Sequence, residues 1–248
     1  MKRWLVILLS VLLSACATTG SEVTLPDEKT EVNESARINV QLASGYMSKG
    51  DYEVALEKLQ KALKADPDYA TAHTVTGVLY SRIGESEKAG KHYRRAAELN
   101  PDDGGVLNNY GQYLCSVGKF EQAYPYFQRA IEQAFYPTPE LALTNAGRCA
   151  TAEGDYTKAE NYLRRALKLS AGYPPTLFAM AKLMNQQQEN LKARAFLQRY
   201  HATGQVSDQS LYLGYDIERK LGDKEASDEY KLKLIRQYPE SSLTQTLL

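Results

Sequence analysis

The sequence predicts an all-α fold, a right-handed superhelix built from six helix-turn-helix repeats, and three observations lead to this prediction. A pattern of small residues recurs with a period close to 34 residues from residue 35 onward. Each period contains two stretches in which apolar residues follow the helical spacing i, i+3, i+4 and i+7. In most periods a helix-breaking glycine separates the two stretches, so each period predicts a pair of antiparallel helices.

The first helix of every predicted repeat carries a small residue at the same position. The position holds, in order, Ala43, Gly77, Gly111, Gly147, Ala181 and Gly214, at spacings of 34, 34, 36, 34 and 33 residues. Twelve residues later the second helix has an alanine each time, at Ala55, Ala89, Ala123, Ala159, Ala193 and Ala226. Small residues allow two helices to approach closely while large neighbours fill the gaps. We therefore expect the two helices of each repeat to pack tightly.

This period, with its small, aromatic and proline positions, is characteristic of tetratricopeptide repeats. Pro67 and Pro101 each close one unit, because proline is tolerated only in the first turn of a helix. The predicted repeat domain covers residues 35–248, with units at about 36–69, 70–103, 104–139, 140–173, 174–206 and 207–240. Such units stack on their neighbours, and their first helices line an inner groove that commonly binds an extended peptide or a partner helix.

Residues 1–15 have the composition of an export signal. Lys2 and Arg3 precede an apolar stretch that is too short to span a bilayer comfortably, and Leu-Ser-Ala-Cys at 13–16 resembles the lipobox of bacterial lipoproteins. This resemblance implies that Cys16 is acylated after cleavage; the alternative is an ordinary signal peptide followed by a chance cysteine. In such lipoproteins an aspartate directly after the acylated cysteine is associated with retention in the inner membrane. This sequence has Ala17 at that position, so the resemblance implies that the protein is located on the periplasmic face of the outer membrane.

Residues 16–34 are predicted to form a lipid-anchored, flexible tether. They are polar, contain Gly20 and Pro26, and lack helical apolar spacing. A coil of this length spans on the order of 20 to 25 Å. We therefore expect the repeat domain to stand clear of the membrane, which it contacts only through its lipid.

Composition and motifs argue against a catalytic function. The 30 basic and 30 acidic residues give a formal net charge of zero, so no global field attracts nucleic acid, and we expect no nucleic-acid partner. The three histidines, His73, His92 and His201, are expected to lie apart from one another and to form no metal site. No P-loop, nucleophile elbow or zinc-protease motif occurs. We expect a binding protein without a cofactor or metal.

Polar residues on the first helices of units three and four are candidates for a partner-binding groove. They are Asn108, Asn109 and Gln112 in unit three, and Thr144, Asn145 and Arg148 in unit four. An asparagine amide both donates and accepts hydrogen bonds, so it can pair with the backbone of a bound chain, and an arginine can hold a carboxylate in two bonds. The alternative is a wet groove whose polar lining only maintains solubility.

The first helix of unit one predicts a more apolar entrance to the same groove. Val40, Tyr46 and Met47 contribute apolar side chains there, close in sequence to the tether. An exposed apolar surface of this kind can seat an amphipathic partner.

Three segments resemble one family more closely than they resemble the general repeat. They are Leu-Asn-Asn-Tyr-Gly-Gln-Tyr-Leu-Cys at 107–115, Tyr-Pro-Thr-Pro-Glu-Leu-Ala at 136–142 and Asn-Ala-Gly-Arg-Cys-Ala at 145–150. These segments, the lipobox, the tether and the six repeats are similar to the type IV pilus biogenesis lipoproteins of the PilF and PilW type. The resemblance implies a pilotin, which binds the pilus secretin and promotes its localisation and multimerisation in the outer membrane. The alternative is a general periplasmic adaptor for cell-envelope assembly.

Two cysteines remain if Cys16 carries lipid. An oxidising periplasm permits Cys115 and Cys149 to pair, and the alternative is that both thiols pack as small hydrophobic side chains. Both lie on first helices of adjacent units, where neighbouring parallel helices can bring the thiols within bridging range, so we favour the disulfide. We expect the protein to be a monomer.

Overall fold

The computed structural model describes residues 33–248, which form thirteen α-helices and no β-strand. The predicted signal peptide, Cys16 and almost all of the predicted tether lie outside the described residues. The helices are α1 (Glu34–Lys49), α2 (Tyr52–Ala65), α3 (Ala70–Arg82), α4 (Ser86–Leu99), α5 (Gly104–Ser116), α6 (Phe120–Glu132), α7 (Pro139–Glu153), α8 (Tyr156–Leu169), α9 (Pro174–Gln186), α10 (Asn190–Ala202), α11 (Asp208–Leu221), α12 (Lys224–Gln237) and α13 (Ser242–Gln245).

Consecutive helices pair into the six predicted units, from α1 with α2 to α11 with α12, which confirms the predicted fold class. The second helix of each unit contacts the first helix of the next unit, so the pairs stack in sequence order. Successive first helices also contact one another, from α1 and α3 through to α9 and α11. The first helices therefore form the inner wall of the superhelix.

The tight helix pairing follows from the recurring small residues. A Cβ atom added at Gly147 would lie 2.7 Å from Cγ of Leu163 on the partner helix, and 3.2 Å from the carbonyl oxygen of Ala159. Gly111 faces Phe127 in the same way in unit three. The alanines at the second small position are fully buried in the first five units, whereas Ala226, in the last unit, is partly exposed.

The turn between the two helices of a unit needs one residue in the left-handed region. Five units place a glycine there, with φ between +75° and +92°, but unit five uses Gln188 with φ +61°. The closing hydrogen bonds are equivalent, since the Glu189 N–H donates to the Met184 carbonyl at 2.9 Å, as the Asp51 N–H donates to the Tyr46 carbonyl at 3.0 Å. Unit five therefore keeps the turn at the cost of backbone strain.

The two ends of the described chain differ slightly from the predicted boundaries. The Asn33 side chain accepts hydrogen bonds from the backbone N–H groups of Ser35 and Ala36, so it caps α1, and the helix begins at Glu34 within the predicted tether. At the other end, the short helix α13 packs on α11 and was not predicted. None of the helices within residues 33–248 is both long enough and apolar enough to cross a membrane.

Candidate functional site

The inner wall of units four to six contains two adjoining cavities, of about 690 Å³ and 500 Å³. The larger lies between α7 and α9, and the smaller lies between α9, α11 and α13. Four residues line both cavities, namely Phe178, Lys182, Gln186 and Gln209, so the two are parts of one groove. We call it the C-terminal groove.

An aromatic side chain forms the floor where the two cavities meet. The Phe178 ring is partly buried and packs against the Tyr200 ring, with their centroids 5.1 Å apart. Lys182 lies one helical turn further along α9, and its Nζ is 5.9 Å from the centroid of the Phe178 ring. Pro174 and Pro175 begin α9 with the backbone angle that a first helical turn requires. This rigid start fixes the direction in which the α9 side chains enter the groove.

The acidic residues of the groove are held by the protein itself. The Asp216 carboxylate contacts Lys220 Nζ at 2.6 Å and Asn185 Nδ2 at 2.9 Å, and Asp208 accepts a hydrogen bond from Ser241 Oγ at 2.7 Å. Burial acts to raise the pKa of Asp216, but these hydrogen bonds and one from Arg219 outweigh it and hold the pKa below its usual value. Asp216 is therefore ionised and already paired.

Two basic residues of the groove, unlike its acidic residues, are not paired with other side chains among the described residues. The side chains of Arg148, on α7, and Lys182, on α9, are exposed and line the larger cavity. Within residues 33–248, neither has a carboxylate oxygen within 4.0 Å. The larger cavity therefore has an excess of unpaired positive charge.

Three of the predicted groove residues instead join neighbouring units. Asn145 Nδ2 donates to Asn108 Oδ1 at 3.0 Å between units three and four, and both side chains are buried. Thr144 Oγ1 lies 2.6 Å from Thr176 Oγ1 between units four and five, also in the interior. These side chains bind each other, so the structure differs from the expected polar lining at Asn108, Thr144 and Asn145.

The other predicted polar residues of units three and four lie nearer the surface. Asn109 is half-buried, whereas Gln112 and Arg148 are exposed. Of the six, Arg148 alone is among the residues that line the C-terminal groove. The sequence pattern therefore located one residue of this groove but not the α9 and α11 residues that form most of it.

An apolar surface is present on unit one, but Tyr46 is the one predicted residue that contributes to it. Val40 and Met47 are buried in the hydrophobic cluster of units one and two. Ile38 and Leu42, 44% and 46% exposed, lie with Tyr46 along another face of α1, beside a shallow cavity of about 330 Å³. We call Ile38, Leu42 and Tyr46 the α1 stripe. Their spacing of four residues was visible in the sequence, but nothing there showed that this face is uncovered.

The two cysteines meet on the first helices of units three and four. Cys115 on α5 and Cys149 on α7 are joined as a disulfide, with their Cα atoms 5.7 Å apart. Together with the buried asparagine pair, this contact links the same two units twice.

Two histidines meet in unit two, contrary to the expectation that all three would lie apart. His73 Nδ1 and His92 Nδ1 are 3.0 Å apart, because α3 and α4 pack against each other. Burial lowers the pKa of His92, and the charge of His73 lowers it further. Within residues 33–248, no three side chains of the metal-ligating kind come together.

The stacked helix pairs and the lined inner wall define a tetratricopeptide repeat protein, a class that mediates protein–protein interactions. Sequence patterns described as tetratricopeptide repeats match residues 40–104, 104–172 and 150–212. The type IV pilus assembly protein PilF of Pseudomonas aeruginosa is 31% identical over 237 residues, which cover 96% of this chain and 94% of that protein. The chain belongs to the PilF/PilW family of tetratricopeptide repeat proteins of type IV pilus biogenesis.

Two solved structures of the same kind are similar in three dimensions. The crystal structure of PilW, described as a widely conserved type IV pilus biogenesis factor, superposes with a TM-score of 0.78 at 31% identity. It covers 87% of this chain and 99% of its own. PilF of Pseudomonas aeruginosa superposes with a TM-score of 0.71 at 29% identity, covering 86% and 96% respectively. The similarity therefore extends through all six units rather than through one shared repeat.

Proposed function

We propose that the chain is a lipid-anchored protein on the periplasmic face of the outer membrane that binds the type IV pilus secretin. In this function it promotes localisation and multimerisation of the secretin, and hence pilus biogenesis and twitching motility. The observation that carries the proposal is the similarity to PilF over 96% of the chain. The lipobox that ends at Cys16 supports the anchor.

The α1 stripe supports a contact with an apolar or amphipathic segment of the secretin. Ile38, Leu42 and Tyr46 are four residues apart on one helix, so their side chains share a face. Covering such side chains contributes roughly 25 cal/mol for each Å² of apolar surface removed from water. Because α1 directly follows the predicted tether in sequence, a secretin segment bound there is held by the unit nearest the anchor.

The first test measures the fraction of secretin that runs as heat-resistant multimer in outer membranes. Wild type, a deletion strain and a Cys16→Ala strain are compared. We expect multimers to be lost in the deletion strain, and to be lost or mislocalised with Cys16→Ala. Unchanged multimers in both strains would overturn the proposal and would favour a general envelope adaptor.

A second test asks whether the α1 stripe is the contact. The double substitution Ile38→Ser/Leu42→Ser removes apolar surface that is already exposed, so the fold is retained, and we expect fewer secretin multimers. The matched control is Leu191→Ser/Leu232→Ser, which changes two exposed leucines on second helices, outside the inner wall. Equal multimer levels in both variants would exclude the α1 stripe.

A further inference from the structure

We propose that the C-terminal groove is a second binding site, and that it takes an extended, acidic peptide segment of a partner protein. The groove lies on units four to six, whereas the α1 stripe lies on unit one. The inference does not depend on the secretin as partner, because it follows from the chemistry of the groove.

The basic residues of the larger cavity indicate that the ligand is negatively charged. Arg148 and Lys182 line the larger cavity without a carboxylate partner in the described residues, and no described Asp or Glu lines that cavity, since Asp208 and Asp216 line the smaller one. In the larger cavity an incoming carboxylate therefore gains two charge-assisted contacts, whereas an incoming cation meets no acidic side chain of the described residues there. The arginine can hold such a group in two parallel bonds, and the lysine acts as a point charge.

The side-chain amides of the groove favour an extended chain over a helix. Gln186, Gln205 and Gln209 are exposed along the larger cavity, and each offers both a donor and an acceptor. An extended chain has free N–H and C=O groups that can pair with these amides, whereas a helix satisfies most of its backbone groups internally. Gln186 lies on α9, Gln205 in the loop before α11 and Gln209 on α11, while Arg148 lies on α7, so a chain bound to all of them crosses α7, α9 and α11.

An aromatic floor adds a place for one apolar side chain. Phe178 lies where the two cavities meet, so a ligand side chain there packs against the ring while its neighbours reach the basic residues. The larger cavity, at about 690 Å³, has room for several side chains rather than for a single small one. The preferred segment therefore combines acidic residues with one apolar or aromatic residue.

The test uses fluorescein-labelled peptides and fluorescence anisotropy with the purified full chain. The probe is a Ser-Gly peptide that carries Phe-Glu-Glu, and the comparison peptides carry Phe-Gln-Gln or Phe-Lys-Lys in its place. We expect the Phe-Glu-Glu peptide to bind more tightly than the others by about tenfold, and to weaken as salt is raised. Equal binding of all three peptides, or no binding of any, would overturn the proposal.

Variants locate the binding. We expect Arg148→Gln/Lys182→Gln to lower the affinity for the Phe-Glu-Glu peptide by about tenfold, whereas Arg148→Lys/Lys182→Arg retains most of the affinity. The matched control, Lys64→Gln/Lys91→Gln, removes the same charge from two exposed residues on second helices and leaves binding unchanged. Equal loss in the control would mean that only net charge matters. Secretin multimers can be normal or absent in either case, so failure here is separate from failure of the proposed function.

Discussion

The Asn145 side chain donates a hydrogen bond to the Asn108 side chain, at 3.0 Å, across the boundary between units three and four. The two residues are only 7% and 3% exposed, so water cannot replace either partner. In a stack of repeats, stability depends on such contacts between nearest neighbours as well as on each unit.

Removing one partner of this pair should therefore destabilise the protein. Asn145→Ala leaves the Asn108 amide buried without its partner, and we expect the free energy of unfolding to fall by about 1 to 3 kcal/mol. Urea unfolding followed by circular dichroism measures the change. Gln112→Ala, on the exposed surface of the neighbouring unit three, is the control and should have little effect. An equally small effect for Asn145→Ala would show that the bond contributes nothing.

Replacing two helical glycines by alanine should have opposite effects. Gly147→Ala forces Leu163 and the Ala159 carbonyl to move, which costs about 1 to 3 kcal/mol. Gly45→Ala meets open space within α1, so the better helix propensity of alanine stabilises by up to about 1 kcal/mol. Thermal unfolding of the two variants checks the signs. Two changes in the same direction would contradict the close packing described at Gly147.

A glycine in the turn of unit five should stabilise the protein. The left-handed backbone at this position costs about 1 to 2 kcal/mol for a residue with a Cβ. Glycine adopts it without that cost, so we expect Gln188→Gly to raise the free energy of unfolding by part of this amount. The neighbouring Gln187, with φ −78°, is the control, because Gln187→Gly adds only backbone freedom and should destabilise. Urea midpoints distinguish the two. A lower midpoint for Gln188→Gly would exclude strain at this position.

Breaking the disulfide should weaken the centre of the superhelix. The bond joins residues separated by 34 positions, and closing a loop of that length is worth about 3 to 4 kcal/mol in the chain-entropy treatment. We expect Cys115→Ala/Cys149→Ala to unfold at a lower urea concentration, and reduction of the wild type to reproduce the shift. A reductant that shifts the double variant as much as the wild type would show that the disulfide is not the cause.

Acidification should destabilise the protein through two histidines. Burial is the main cause that lowers the pKa of His92 and of His201, with the charges of His73 and Lys233 as secondary causes. The unfolded chain then binds more protons, so the stabilisation is present above the unfolded pKa of about 6.5 and is lost as the pH falls below it. We expect His92→Gln/His201→Gln to flatten the dependence of the urea midpoint between about pH 7 and pH 5. A dependence equal to that of the wild type would assign it to other groups.

Much of the fold could be predicted from the sequence because the same helix-packing residues recur in all six units. Gly147 and Ala159 were identified as helix-contact positions, and both lie between the helices of unit four. The candidate site was harder to predict, because a buried, hydrogen-bonded asparagine such as Asn108 cannot be distinguished in the sequence from an exposed one. On α1, Val40 lies two residues from both Ile38 and Leu42, a rotation of about 200° around the helix. Only the packed neighbours determine which of these faces is covered.

The disulfide also determines how the domain responds to a pulling force. If the two ends of the repeat domain are drawn apart, tension passes directly between Cys115 and Cys149. The segment between them, which contains all of α6 and most of α7, then carries no load and cannot be extended. Any lengthening of the chain under tension must come from residues outside this segment, which include most of α5 and all of α8.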